Sequence, residues 1–295
     1  MEDNVIICDH LTHYYGKRCI YSDLSFTVNK GTITGLLGKN GTGKTTTINI
    51  LMGYLKPTSG YCTVFGEDAS DISPATRSRI ALLLEGHVQY SFMTIEQIER
   101  FYSKFYPKWN KDAYYELMSR LKVAPRQRIA NMSNGQKSQV ALGLILAQNA
   151  DLLVLDDFSL GLDPGYRRLF IEYLRDYAKS EGKTVFMTSH IIQDIEKLVD
   201  DCIIMDYGKI LFHNKISVLT GNLIKYTYQN SGNTKMPSAD FILNASEYKG
   251  KTEFYSFAAE NEIRSKMEAD GINTETLKSE KMNLEDAFIG LTGKY

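Results

Sequence analysis

Apolar residues cluster at strand spacing over the first 85 or so positions of the chain. Val5-Ile6-Ile7-Cys8 and Leu24-Ser25-Phe26-Thr27-Val28 predict strands. Thr32-Ile33-Thr34-Gly35-Leu36-Leu37 is a third apolar run, ending in a glycine-rich loop. Behind that loop, Thr45 to Tyr54 predicts a helix closed by Pro57. From about residue 86 to 150 the apolar spacing becomes helical. Ile95 to Tyr106 and Asp112 to Leu121 predict helices separated at Pro107, and Gln136 to Gln148 predicts another. Leu152-Leu153-Val154-Leu155 is apolar at every position, as a strand buried on both faces of a parallel sheet must be. Beyond it the pattern alternates: helix from Arg167 to Ser180, strand from Thr184 to Met187, helix from Ile191 to Val199, strand from Cys202 to Met205. Such alternation predicts a parallel α/β core. The rhythm stops between residues 216 and 238, where Gln229 to Thr234 is polar and turn-rich. We read this as a loop inside a small α/β C-terminal domain. The expected division is a first domain over 1–217, with a helical subdomain at about 86–150, and an accessory domain over 218–295.

Composition narrows the classes. A hydrophobic share of 43% with 23% charged residues is enough apolar material for a packed core. Lys and Arg number 34 against 35 Asp and Glu, so no polyanion-binding surface is indicated and nucleic acid is a poor partner. Cys8, Cys19, Cys62 and Cys202 are scattered, which predicts buried free thiols rather than a zinc site or a disulfide framework. The acidic start MEDNVIICDH lacks the basic region of a signal peptide, and no run approaches the ~20 apolar residues that cross a bilayer. A soluble or peripheral protein is expected.

The chemistry starts at Gly38-Lys39-Asn40-Gly41-Thr42-Gly43-Lys44-Thr45, which fits GxxxxGK[ST] throughout and lies between a predicted strand and a predicted helix. Glycines let backbone N–H groups close around phosphate oxygens, Lys44 brings charge to the β- and γ-phosphates, and the Thr45 hydroxyl suits Mg²⁺. The helix start at Lys44-Thr45-Thr46 adds its partial positive charge. Asp156 ends the apolar strand Leu152 to Leu155, where a phosphate-loop protein needs a carboxylate beside its Mg²⁺. These two features specify a nucleoside triphosphatase of the phosphate-loop class and nothing finer.

A third set is finer. Met132-Ser133-Asn134-Gly135-Gln136 sits at a loop-to-helix junction, Asp163 lies in Leu160-Gly161-Leu162-Asp163-Pro164, and His190 follows the strand ending at Met187. With these motifs, in this order, the sequence from about residue 3 to 215 resembles the ABC ATPase family, whose signature usually reads LSGGQ. The resemblance implies an α/β core with an inserted helical subdomain, working as a homodimer or with a paralogous ATPase. It implies that Tyr15 stacks on adenine, with Tyr14 as the alternative. Ser133, Asn134, Gly135 and Gln136 would contact the γ-phosphate held by the opposing protomer. Asp163 would shape the dimer interface, and His190 would contact the γ-phosphate and help position the attacking water. The cofactors implied are ATP and Mg²⁺, and the partners are membrane-spanning transporter subunits at the cytoplasmic face of the membrane.

Two positions depart from the family's pattern. Glu85 stands where a glutamine is usual; it can still ligate Mg²⁺, but it adds negative charge near the γ-phosphate. Asp157 stands where the family usually places a glutamate as general base, which predicts slowed hydrolysis. The segments Phe105 to Asn110 and Asn283 to Phe288 resemble the bacterial ABC-2 type exporter ATPases. The aromatic residues from Phe92 to Tyr115 predict core packing of a helical subdomain; the alternative is a hydrophobic docking groove for a membrane partner's coupling helix, using the exposed part of the same stretch. The reading is therefore an ATP-hydrolysing subunit of an exporter. The alternative is a nucleotide-gated regulatory subunit that scarcely hydrolyses. A soluble ABC ATPase of translation or repair fits poorly, because there is one phosphate loop and no sustained heptad pattern.

Overall fold

The computed structural model describes residues 4–84, 90–120, 122–158, 162–189, 191–230 and 237–293. The chain divides into two compact units, Met1–His213 and Asn214–Tyr295.

In the first unit, β1 (Asn4–Tyr15) and β2 (Arg18–Asn29) form an antiparallel hairpin. β3 (Ile33–Gly38) runs into the phosphate loop, and α1 (Lys44–Leu51) leaves it. β4 (Ser59–Val64) and β5 (Glu67–Asp68) follow, then the short α2 (Pro74–Arg77) and β6 (Ile80–Leu83). The helical segment holds α3 (Ile95–Tyr102), α4 (Lys111–Arg120) and α5 (Asn134–Ala147). β7 (Leu152–Leu155), α6 (Pro164–Ser180), β8 (Thr184–Thr188), α7 (Ile192–Leu198), β9 (Asp201–Asp206) and β10 (Lys209–Lys215) complete the α/β alternation.

Two sheets result. One has the order β2-β1-β4-β5 and the other β10-β9-β3-β8-β7-β6. In the second, β3 pairs in parallel with β8 and β9, and β7 with β6 and β8. Every residue of β7 and β8 is buried, as expected of central strands covered on both faces. α1 shares one core with both sheets: Ile48 and Leu51 pack with Leu11 and Phe26 of the antiparallel sheet and with Val154 and Phe186 of the parallel one. Phe26 and Phe186 stack at 5.9 Å. Each such fully buried side chain contributes about 1.5–3 kcal/mol, so the phosphate loop is anchored by the helix behind it.

α3 ends at Tyr102, capped by Ser103, short of the expected Tyr106. α6 starts earlier than the apolar spacing suggested, because Asp163 caps it and Pro164 occupies its first turn. Cys8, Cys62 and Cys202 are buried, whereas Cys19 is exposed, since it sits at the turn end of the β1–β2 hairpin opposite Tyr14.

The second unit contains α8 (Ile216–Asn222), β11 (Ile224–Gln229), β12 (Leu243–Tyr248), β13 (Lys251–Ser256), α9 (Glu260–Ala269), β14 (Lys278–Lys281) and α10 (Leu284–Thr292). Its sheet, β12-β13-β11-β14, is antiparallel at each pairing, so the parallel sheet belongs to the first unit. Tyr226, Tyr228 and Phe254 pack against Ile263 and Met267 of α9. The polar segment read as a loop falls largely on 231–236, outside the described residues.

Candidate functional site

The phosphate loop occupies the turn from β3 to α1, and close packing fixes its shape. At Gly38 an added Cβ would lie 2.5 Å from Thr42 Oγ1 and 2.8 Å from the Met205 carbonyl oxygen. Gly43 has φ 103°, and a Cβ there would meet Ile20 and Tyr21 at 2.7 and 2.8 Å. Only glycine meets both demands at Gly43. Thr42 Oγ1 donates to the Lys39 carbonyl at 2.8 Å, tying the loop across itself. Lys39 lies 3.7 Å from Asp206 Oδ2 at the end of β9, which holds the loop's outer side.

Lys44 opens α1 and is buried, with Nζ donating to the Gly38 carbonyl at 2.8 Å and the Lys39 carbonyl at 3.2 Å. Burial lowers its pKa from the ordinary lysine value, and the carboxylates of Asp157 and Asp156 oppose that shift. Lys44 thus lies in the field of both carboxylates, at the turn where the loop passes into α1. Thr45 is exposed and Thr46 buried on the same first turn.

Asp156 follows β7 and is 1% exposed; its Oδ1 accepts from Thr188 Oγ1 at 2.6 Å. Asp157 is also buried and has φ 45°, in the left-handed region, where aspartate is better tolerated than most residues. Its backbone N–H donates to the same Thr188 Oγ1 at 3.0 Å.

A cleft of about 370 Å³ gathers Tyr15, Asn40, Gly41, Gly43, Lys44, Thr45, Thr46 and Asp157. Tyr15 is half-exposed and meets the buried His13 ring edge-on at 4.8 Å. Tyr14 is not among the lining residues. The lining also includes Arg18 and Ile20 of β2, which sequence reasoning missed. Their signal is faint: Arg18 pairs across the hairpin with Tyr15, so an aromatic placed on the cleft brings its cross-strand neighbour with it.

Ser133, Asn134, Gly135, Gln136 and Asp163 do not line this cleft. Ser133 caps α5 in a reciprocal capping box: its Oγ accepts from Gln136 N at 3.2 Å, and Gln136 Oε1 accepts from Ser133 N at 3.1 Å. Asp163 caps α6 by accepting from Gly165 N at 3.0 Å and Tyr166 N at 3.1 Å. The two helix starts are neighbours, since a Cβ on Gly135 would lie 3.0 Å from the Tyr166 ring and 3.7 Å from Asp163 Oδ2. Glu85 and His190 lie outside the described residues.

The donor set suits a magnesium nucleotide. Thr45 lines the cleft, whereas Asp156 is buried and is not among its lining residues; a hydroxyl and a carboxylate are hard oxygen donors of the kind Mg²⁺ takes, and loop N–H groups with a lysine are of the kind that complement phosphate charge. Among the described residues, no group of three or more His, Cys, Asp or Glu side chains forms a metal cluster of its own.

Comparison with known proteins gives one family. The model described as "ABC transporter" matches residues 21–159. The chain is 30% identical to the bacitracin transport ATP-binding protein BcrA of Bacillus licheniformis, over 98% of this chain and 97% of that one. It is 28% identical to the Nod factor export ATP-binding protein I of Rhizobium johnstonii, over 95% and 92% respectively. Among solved structures, the ATP-binding subunit of an ABC transporter superposes with a TM-score of 0.65 at 24% identity, covering 74% of this chain and 92% of that one. A post-hydrolysis dimer of an ATP-binding cassette with ADP and phosphate gives 0.62 at 19% identity, over 71% and 98%. These two share the fold, and the full-length match to the bacitracin relative carries the rest. This chain belongs to the ABC transporter family and is one of its ATP-binding, ATP-hydrolysing subunits.

Proposed function

We propose that the chain powers export through membrane-spanning partner subunits, by closing and reopening a head-to-tail pair of ATPase units around two Mg²⁺-bound ATP molecules. The observation that carries this reading is the separation of two half-sites on one chain. The cleft holds the loop, Lys44 and Asp157, while Ser133 and Asp163 stand exposed at two adjacent helix starts outside it. Helix N-termini attract anions, so the starts of α5 and α6 complement a phosphate presented by a second copy or a paralogue.

In this scheme Tyr15 grips adenine by stacking. The loop N–H groups and Lys44 hold the phosphates. Thr45 and Asp156 would hold Mg²⁺, with Glu85 assigned as a further oxygen ligand; when bound, the cation would withdraw charge from the phosphate undergoing attack. Asp157 accepts the proton of the attacking water, and His190 helps position that water. Closure follows if ATP binds the paired state more tightly than the open one, and loss of phosphate removes that preference.

Export is favoured over import by the name of one relative, which concerns Nod factor export. No helix among the described residues is long and apolar enough to cross a membrane; the path for cargo is assigned in this reading to the partner subunits. We assign the cavity of about 540 Å³ lined by Tyr54, Arg77, Tyr102, Phe105 and Tyr106 to docking of a partner's helix. Tyr114 is buried in the helical segment, whereas Phe92 and Phe105 are exposed and supply apolar surface for a partner. Residues 218–295 carry none of the nucleotide motifs, and we assign them an accessory role.

The test is ATPase activity of the full chain purified with its membrane partner and reconstituted in vesicles. Turnover dependent on the partner and on both helix starts is expected. An assembled complex that binds ATP without measurable turnover would replace this reading with that of a nucleotide-gated regulator. Membrane association removed by alkaline wash is expected as well; a chain that never sediments with membranes contradicts the transport role.

A further inference from the structure

We propose that Thr188 is a positioning residue for hydrolysis, with a hydroxyl that sets the Asp156 carboxylate toward the cation and pins the backbone of Asp157. This inference rests on the assignment of Asp156 to the Mg²⁺ shell and of Asp157 to the attacking water.

Thr188 is the last residue of β8 and has no exposed surface. The parallel register sets Leu155 beside Met187, so the next residue on each strand brings Thr188 beside Asp156. A threonine hydroxyl has one proton to give and two lone pairs to offer. The Asp157 N–H can only donate, so Thr188 Oγ1 accepts that bond, at 3.0 Å. The hydroxyl proton is then committed to Asp156 Oδ1, at 2.6 Å. That length falls in the range of a charge-assisted O–H···O⁻ bond, roughly twice as strong as a neutral one. One carboxylate oxygen of Asp156 is thereby engaged, which leaves Oδ2 as the oxygen that would serve a cation.

The second bond acts on a backbone under strain. Asp157 is held at φ 45°, a region that non-glycine residues occupy when their surroundings enforce it. The bond to Thr188 is one such constraint, and it decides where the Asp157 side chain leaves the chain. A single hydroxyl therefore couples the cation ligand to the general base. Outer partners of metal ligands characteristically work this way, and their loss costs about 10–100-fold in metal affinity or activity.

The experiment uses the full-length chain with Thr188→Val, which keeps the shape and removes the hydroxyl, and Thr188→Ser, which keeps the hydroxyl. Mn²⁺ is titrated by electron paramagnetic resonance in the presence of a non-hydrolysable ATP analogue. Analogue affinity is also measured in EDTA, and melting temperatures are recorded. Thr188→Val should weaken Mn²⁺ binding about 10–100-fold while the cation-free analogue affinity stays at the wild-type value, and Thr188→Ser should restore Mn²⁺ binding. A merely structural role would lower both affinities together, or only the melting temperature, and would overturn the inference. Should Thr188→Val fail to fold, Thr188→Ala is read by the same criteria. Asp156→Asn separates the two levels. If it weakens Mn²⁺ binding and folded Thr188→Val does not, the positioning role fails alone; if Asp156→Asn binds Mn²⁺ like wild type, the cation assignment fails with it.

Discussion

Lys44 lies within bonding distance of two loop carbonyls and in the field of Asp157 and Asp156. A phosphate would meet a charge already aimed by its own loop. Charge-assisted bonds contribute about 1.5–3 kcal/mol each, so Lys44→Ala should weaken ATP binding about 10- to 100-fold. The α1 core of Ile48 and Leu51 is untouched, and circular dichroism should report an intact fold. Wild-type affinity in the variant would remove Lys44 from the site. Asp157 carries the second prediction at this scale. Glutamate is longer by one methylene, about 1.5 Å, and a misplacement of about 1 Å can cost on the order of 100-fold in rate. Asp157→Glu should therefore raise kcat with ATP affinity little changed, and should lower the melting temperature, because φ 45° suits aspartate better than glutamate. A variant equal to or slower than wild type in the assembled complex would mean that the strained backbone already delivers the shorter side chain to the water. Lys44 and Asp157 were legible because each stands in a contiguous motif. Thr188 was not, because its bonds reach 31 and 32 residues back along the chain and exist only through parallel pairing.

The start of α5 has two tasks that can be separated. Ser133 closes the helix with its capping box and stands exposed at the same time. Ser133→Ala should cost about 1 kcal/mol of stability by loss of the cap. Ser133→Asp should cap equally well and melt near the wild-type temperature, yet set a negative charge where a partner's γ-phosphate is expected, and so abolish partner-dependent turnover. Melting curves and ATPase rates of both variants decide the matter: full activity in Ser133→Asp would exclude a phosphate contact there. Elements of the core were the easiest to read. Leu152 to Leu155 is apolar at every position because both faces of β7 are covered. β14, at the opposite extreme, has the sequence Lys278-Ser279-Glu280-Lys281 and is exposed throughout, so only its backbone pairing with β11 makes it a strand. Nothing in its side chains announces that, and an exposed, lysine-bearing strand at a sheet edge resists pairing with other chains.

Over the whole molecule, the site motifs that are described lie within Met1–His213. A chain ending at His213 should bind ATP with the affinity of the full protein. Isothermal titration of both would show it, and a folded truncation without binding would tie Asn214–Tyr295 to the nucleotide. The run of helices α3 to α5 in the first unit follows from the change in apolar spacing near residue 86, whereas the antiparallel sheet of the second unit was hidden by strands that are half-exposed, such as Leu243–Tyr248. The distribution of sulfur has a practical outcome. Three of the four thiols are buried, while Cys19 is exposed in the hairpin, one residue from Arg18 at the nucleotide cleft. A maleimide dye added to the native, unmutated protein should therefore modify Cys19 first and leave the other three for denatured samples. The dye would sit beside the cleft that Arg18 and Tyr15 line, and would report nucleotide arrival optically if ATP binds there as proposed. Mass spectrometry of the modified peptides, followed by an emission change on adding ATP, checks both steps; equal labelling of all four cysteines would contradict the burial on which the reporter depends.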